Sequence, residues 1–127
     1  MPWEVAFDDA NGIVQVTVRG PASHDEHVAA REEAARVCLK AQSRKLLVDL
    51  RDLETERVVS TSGCFEFGDR FTLEGGIPPG TRIAHILPRD PKACEDVEFT
   101  TAVARNRGAA IRNFEDQEDA RNWLLGR

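Results

Sequence analysis

Asp49 and Asp52 stand three residues apart at the end of an aliphatic run, Leu46-Leu47-Val48, so they straddle the end of what reads as a strand. The carboxyl end of a strand is the usual ligand edge of an open α/β sheet. Two carboxylates there suit Mg²⁺, which prefers oxygen ligands and keeps several of its waters. No third acid or glycine-rich phosphate cradle follows at matching spacing, so the pair reads more readily as hydrogen-bond acceptors that order a loop. His24-Asp25-Glu26-His27 places two imidazoles at i and i+3 in a helical first turn, a spacing that Zn²⁺ accepts. Acids in a first turn also simply complement the helix dipole. His85 falls in mid-strand, the place of a hydrogen-bonded sheet residue rather than a general base. Cys64 has no identifiable histidine partner, and no Ser-His-Asp set with nucleophile-elbow glycines is present. Neither a catalytic residue, a resident metal nor a cofactor is expected.

The aromatic residues make a different kind of candidate. Phe65, Phe67 and Phe71 fall within one helical pattern and Phe99 within the next, more aromatic surface than a small-residue core requires. Two such helices would either pack as ordinary core or line an apolar ligand cavity, gated by the loop Gly75-Gly76-Ile77-Pro78-Pro79-Gly80. Ser60-Thr61-Ser62-Gly63 opens the first of these helices, and a serine there caps it. Arg105, Arg107 and Arg112 gather positive charge around the far end of the second, where it complements the dipole.

The elements that must position these residues are legible from pattern. Trp3 to Phe7 and Ile13 to Val18 are β-type runs, and Asn11-Gly12 between them accepts the positive φ of a tight hairpin. Val14, Val16 and Val18 alternate with Gln15, Thr17 and Arg19, so one sheet face is packed and the other at least partly wet. Ser23 and Glu26 form a capping box for a helix to about Gln42, with a stripe of Ala30, Ala34, Val37, Cys38 and Ala41. A strand follows at about Lys45 to Leu50, then a helix from about Ser60 to Leu73 whose stripe is Cys64, Phe67, Gly68 and Phe71.

Thr81 to Leu87 is the next strand. A third helix runs from Ala93 to Arg107, with Phe99, Ala102, Val103 and Asn106 on one side and Gly108 as its C-terminal cap. Ala109 to Phe114 is the last strand, and Asp116 caps a fourth helix that buries Ala120, Trp123 and Leu124. The order ββαβαβαβα is that of an α/β domain spanning residues 1–127. After the hairpin, each strand is followed by a helix, so the later strands are expected to be parallel with right-handed crossovers.

Composition narrows the function class. At 127 residues the chain can bury about two thirds of its unfolded surface, so it needs neither metal nor disulfide to fold. With 17 Lys and Arg against 22 Asp and Glu, and net charge −5, it is not expected to bind nucleic acid or an acidic membrane. Cys38, Cys64 and Cys94 form no C-x-x-C pattern and cannot all pair, which suits free thiols in a reducing cytosol. No signal peptide is expected at Met1-Pro2-Trp3-Glu4-Val5, and no apolar run approaches the ~18 residues of a membrane span. A cytoplasmic protein without membrane insertion is the expectation.

With this order in hand, the chain resembles a STAS-type domain, the fold of bacterial anti-sigma-factor antagonists. It resembles more closely the small uncharacterised STAS-like bacterial proteins grouped with CRAL-TRIO-type lipid carriers. The residues that carry the resemblance are Gly12-Ile13-Val14-Gln15-Val16, Leu46-Leu47-Val48-Asp49-Leu50-Arg51, Val103-Ala104-Arg105-Asn106-Arg107-Gly108, and Phe114-Glu115-Asp116 leading to Ala120-Arg121-Asn122-Trp123-Leu124. The resemblance implies an open, mostly parallel five-stranded sheet with an antiparallel edge strand and helices mainly on one face. It also implies a non-enzymatic module that binds proteins, nucleotides or apolar ligands. By the antagonists' Asp-Ser-Ser/Thr-Gly motif, Ser62 would be a phosphate acceptor, although Ser60 replaces the leading Asp and the loop before it is longer. A phosphate there would meet the free amides and dipole of a helix N-terminus.

The resulting expectation is a regulatory or protein-interaction module that binds a protein partner or a second copy of itself, through the wet sheet face, the edge strand or the start of the Ser60 helix. The alternative is a small carrier that holds an apolar molecule among Phe65, Phe67, Phe71 and Phe99.

Overall fold

The computed structural model describes residues 2–54, 77–78 and 80–127. Strands β1 (Trp3–Asp8), β2 (Ile13–Val18), β3 (Lys45–Asp49), β4 (Arg82–Ile86) and β5 (Ala110–Phe114) lie in sequential order in one sheet. β1 is antiparallel to β2, and every later pairing is parallel. The helices are α1 (His24–Ala41), α2 (Pro91–Asn106) and α3 (Gln117–Leu124). The expected helix over 60–73 lies outside the described residues. The α/β class, the mixed sheet and its antiparallel edge agree with the sequence.

Side-chain alternation along the strands divides the core in two. Val14, Val16, Val18, Leu46, Ile83 and Ile111 face α1 and α2, meeting Ala30, Ala34, Cys38, Ala93, Val97 and Ala104. The small helical residues let both helices lie close to the sheet. On the opposite face Ile13, Leu47, Ala84 and Ile86 pack under Ala120 and Leu124 of α3, flanked by Phe114 and Trp123. A helix of 8 residues is too short to persist alone in water. Each large aliphatic group it covers contributes about 1.5–3 kcal/mol on burial, so its docking is what holds it.

Local chemistry fixes the boundaries. Ser23 Oγ accepts from the Glu26 amide at 3.2 Å and the Glu26 carboxylate accepts from the Ser23 amide at 2.9 Å, a complete capping box. Asp90 and Asp116 cap α2 and α3 with their side chains alone, accepting from first-turn amides. The hairpin differs from the tight turn that Asn11-Gly12 suggests. Asp8 and Ile13 are register partners, so residues 9–12 form the loop. Asp8 accepts from both the amide and the side chain of Asn11, and only Gly12 takes positive φ, at 68°.

α2 turns a different side to the sheet from the expected stripe of Phe99, Ala102, Val103 and Asn106. Ala93, Val97, Thr101 and Ala104 face the sheet, with Val103 buried beside them, while Phe99, Ala102 and Asn106 are exposed. Thr101 holds an inward position because its hydroxyl finds polar partners there, which a pattern of apolar residues does not anticipate.

Candidate functional site

The carboxyl ends of the central strands carry most of the candidate chemistry. Asp49, the last residue of β3, is 8% exposed. Its Oδ1 accepts from the Arg51 amide at 3.1 Å and from Arg51 Nε at 3.0 Å, and its Oδ2 accepts from Arg51 Nη2 at 2.7 Å. The same Nη2 donates to Gln117 Oε1 at 3.3 Å, tying the end of β3 to the first residue of α3. Burial alone would push the Asp49 carboxyl up, but the Arg51 contacts outweigh it and hold the carboxyl below its ordinary range. Asp49 is therefore an ionised acceptor whose lone pairs are largely occupied.

Asp52 is bound in a second ion pair, from Arg89 Nη1 at 3.2 Å, with the two side chains 69% and 74% exposed. Main-chain bonds lace the loops beneath it. The Gly20 amide donates to Asp52 O at 2.9 Å, the Glu54 amide to Gly20 O at 3.0 Å, and the Arg89 amide to Arg51 O at 3.1 Å. Asp49 and Asp52 thus serve separate contacts: one carboxylate faces inward to Arg51 and the other outward to Arg89. Both order loops.

Behind this edge, on the α1 and α2 side of the sheet, lies a buried polar cluster that pattern reading misses. His85 of β4, in register with Asn113 of β5, has Nδ1 3.3 Å from Thr101 Oγ1. Thr101 Oγ1 donates to Asn113 Oδ1 at 3.0 Å. With the hydroxyl proton used on Asn113, the His85 contact is met by an Nδ1–H tautomer donating to Thr101. Burial pushes the His85 pKa down to about 4, against the Asn113 contact that favours the charged form, and nearby His27 lowers it further. A neutral, enclosed imidazole of this kind organises a core. The usable signal in the sequence was a threonine four residues after Val97, on the stripe that begins at Ala93.

The remaining candidates separate. Glu26 is committed to the α1 cap, and His27 has its pKa lowered by burial first and by His24 second. Among the described residues no group of three or more His, Cys, Asp and Glu could hold a metal ion. Ser62, Phe65, Phe67 and Phe71 lie outside the described residues. Phe99 is 39% exposed, on the side of α2 turned from the sheet. Arg105 and Arg107 stay at the end of α2, whereas Arg112 crosses to the α3 face and lies over the Phe114 ring at 5.4 Å. Burial raises the Cys38 thiol to about 11, so it is an inert core group. No helix among the described residues is long and apolar enough to cross a membrane.

No family model matches the chain, and no curated protein matches it. Among solved structures it is similar to an uncharacterised protein of the DUF3478 family, with a SpoIIAA-like fold, from Shewanella loihica PV-4. The two are 18% identical, the match covers 96% of this chain and 93% of that one, and the TM-score is 0.57. The fold is therefore SpoIIAA-like, the STAS type that the order of elements had suggested.

Proposed function

We propose that the chain is a non-enzymatic interaction module that binds a protein partner, or a second copy of itself, through the loops at the carboxyl end of its sheet and the adjoining edge strand. The observation that carries this reading is the state of the acids at that end. Asp49 is held by Arg51, Asp52 by Arg89, and Asp90 and Asp116 accept from the first-turn amides of α2 and α3. A reactive carboxylate needs a free lone pair facing substrate, whereas a docking surface needs stiff loops with a charged, hydrated rim. The braced loops, with Asp52 and Arg89 exposed above them, have the second character. β1 adds an edge strand along which a further copy could pair. Ser62, just beyond this edge in sequence, is the position at which phosphorylation would regulate docking; the support for it is its motif alone.

The test compares the wild-type protein with an Arg89→Asp variant in affinity capture from the source cell, with light scattering for self-association. The expected result is a stoichiometric partner or dimer that the variant loses. A monomer without a partner, or a complex indifferent to the substitution, contradicts the proposal.

A second reading, a carrier for an apolar molecule, draws support from the half-exposed ring of Phe99 and from Phe65, Phe67 and Phe71 in the sequence. Native mass spectrometry of freshly purified protein decides it: a retained lipophilic mass supports it, and a clean apo mass sinks it.

A further inference from the structure

At the other end of the sheet, where the parallel strands begin, lies an open cleft of about 530 Å³. Arg44, Lys45 and Arg82 line it together with Phe7, Gly80 and Gly126. Lys45 and Arg82 are the first residues of β3 and β4 and face each other in register. Arg44 is fixed beside them, because its carbonyl accepts from the Arg82 amide at 2.8 Å. Alternation puts Lys45 and Arg82 on the sheet face that carries Leu47 and Ala84, next to α3. There the Arg82 guanidinium lies 4.2 Å from the centre of the Trp123 ring, which holds its plane.

Among the described residues none of these three cations pairs with a carboxylate. That is unexpected in a chain with 22 acids and 17 bases, where an acid is the more available neighbour. The adjacent acid is already occupied: Asp8 binds Asn11 and Arg121. At the α1 C-terminus, Leu39 O and Cys38 O already accept from the Gln42 and Ser43 amides.

We propose that this cleft binds the phosphate of a small phosphomonoester, with Arg44, Lys45 and Arg82 holding the dianion and Phe7 contacting the organic part. Arg forks match phosphate geometry and a lysine adds a compact charge. The cleft falls within the ~300–1,000 Å³ of small-molecule sites, so it is larger than a phosphate ion needs. Phe7, 37% exposed, supplies an apolar wall. The glycines at the rim, Gly80 with φ 83° and Gly126 with φ 75°, present bare backbone to whatever enters.

The experiment is an amide chemical-shift titration with phenyl phosphate, inorganic phosphate and sodium chloride at matched ionic strength. Phenyl phosphate is expected to give saturable shifts at Ser43, Arg44, Gly80, Arg82 and Gly126, and to bind more tightly than inorganic phosphate. Lys45→Glu and, separately, Arg44→Gln are expected to weaken binding by about tenfold or more, the scale of one lost charge-assisted contact. Their amide spectra away from the cleft should stay unchanged. Equal binding of phenyl and inorganic phosphate would overturn the ester assignment. Non-saturable shifts that sodium chloride reproduces, or undiminished binding by both variants, would overturn the site.

Discussion

At the carboxyl end of β3, Asp49 is gripped by three hydrogen bonds from Arg51, whereas at the amino end of the same strand Lys45 faces Arg82 with no carboxylate between them. Both charges lie on the α3 face of the sheet. Burial separates their fates. Asp49 is 8% exposed, and a carboxylate drawn so far from water must be paired and hydrogen-bonded or give up its charge. Lys45 is only partly buried and can rely on water. One end of the sheet has spent its charges on holding loops, and the other has left them available.

That contrast predicts large, buried effects behind the carboxyl end and small, salt-sensitive ones at the surface. The largest comes from His85. Its pKa is about 4 in the fold against an ordinary 6.5, so between these values the unfolded chain binds a proton that the folded one does not. Stability therefore falls as pH drops through that window, by about 3 kcal/mol at roughly 1.4 kcal/mol per pKa unit. Urea unfolding at a series of pH values checks this, and His85→Gln should flatten the slope. Below that window the lowered Asp49 carboxyl adds a further loss, because its contribution disappears as pH falls through its folded pKa.

Next in size is Asp49→Ala, which strands the Arg51 guanidinium at the loop. Denaturant unfolding should show a loss of about 2 kcal/mol, and little of it should yield to salt. Arg89→Ala removes an ion pair whose partners are both more than two thirds exposed. It should cost about 0.5 kcal/mol or less, and even that should fade in concentrated salt. At the amino end the sign reverses: Lys45→Gln relieves repulsion from Arg82 across the pairing and should be neutral or stabilising by a few tenths of a kcal/mol, most visibly at low salt. A loss above about 1 kcal/mol there would mean that Lys45 is structurally paired after all, and the contrast would fail.

Different parts of this picture were legible to different degrees. Ser23 with Glu26, and Asp116 before Gln117, announce their helices because capping is a contact between residues three apart, which sequence displays directly. The parallel direction of the later strands followed from the rhythm of strand and helix, whereas the open arrangement of the sheet was implied by the resemblance to STAS-type domains. Phe99 sits off the inward stripe because α2 carries apolar residues on more than one side, and that stripe includes a threonine satisfied by His85 and Asn113. Those two residues stand 16 and 12 positions away from Thr101, so no local pattern exposes the match. The Lys45 and Arg82 pairing was hidden for the same reason. It depends on the register of two strands joined by a connection of more than thirty residues.

The most direct measurement is the titration of the Asp49 carboxyl carbon by NMR in the wild-type protein and in Arg51→Ala. The account predicts an apparent pKa below the ordinary 3.8 in the wild type. In the variant the carboxyl should rise, because the guanidinium's two bonds and its charge are lost and only the Arg51 amide and Arg89 remain to oppose burial. A wild-type Asp49 that titrates at or above 3.8, or one unmoved by the loss of Arg51, would contradict it and would return this carboxylate to the ranks of groups free to do chemistry.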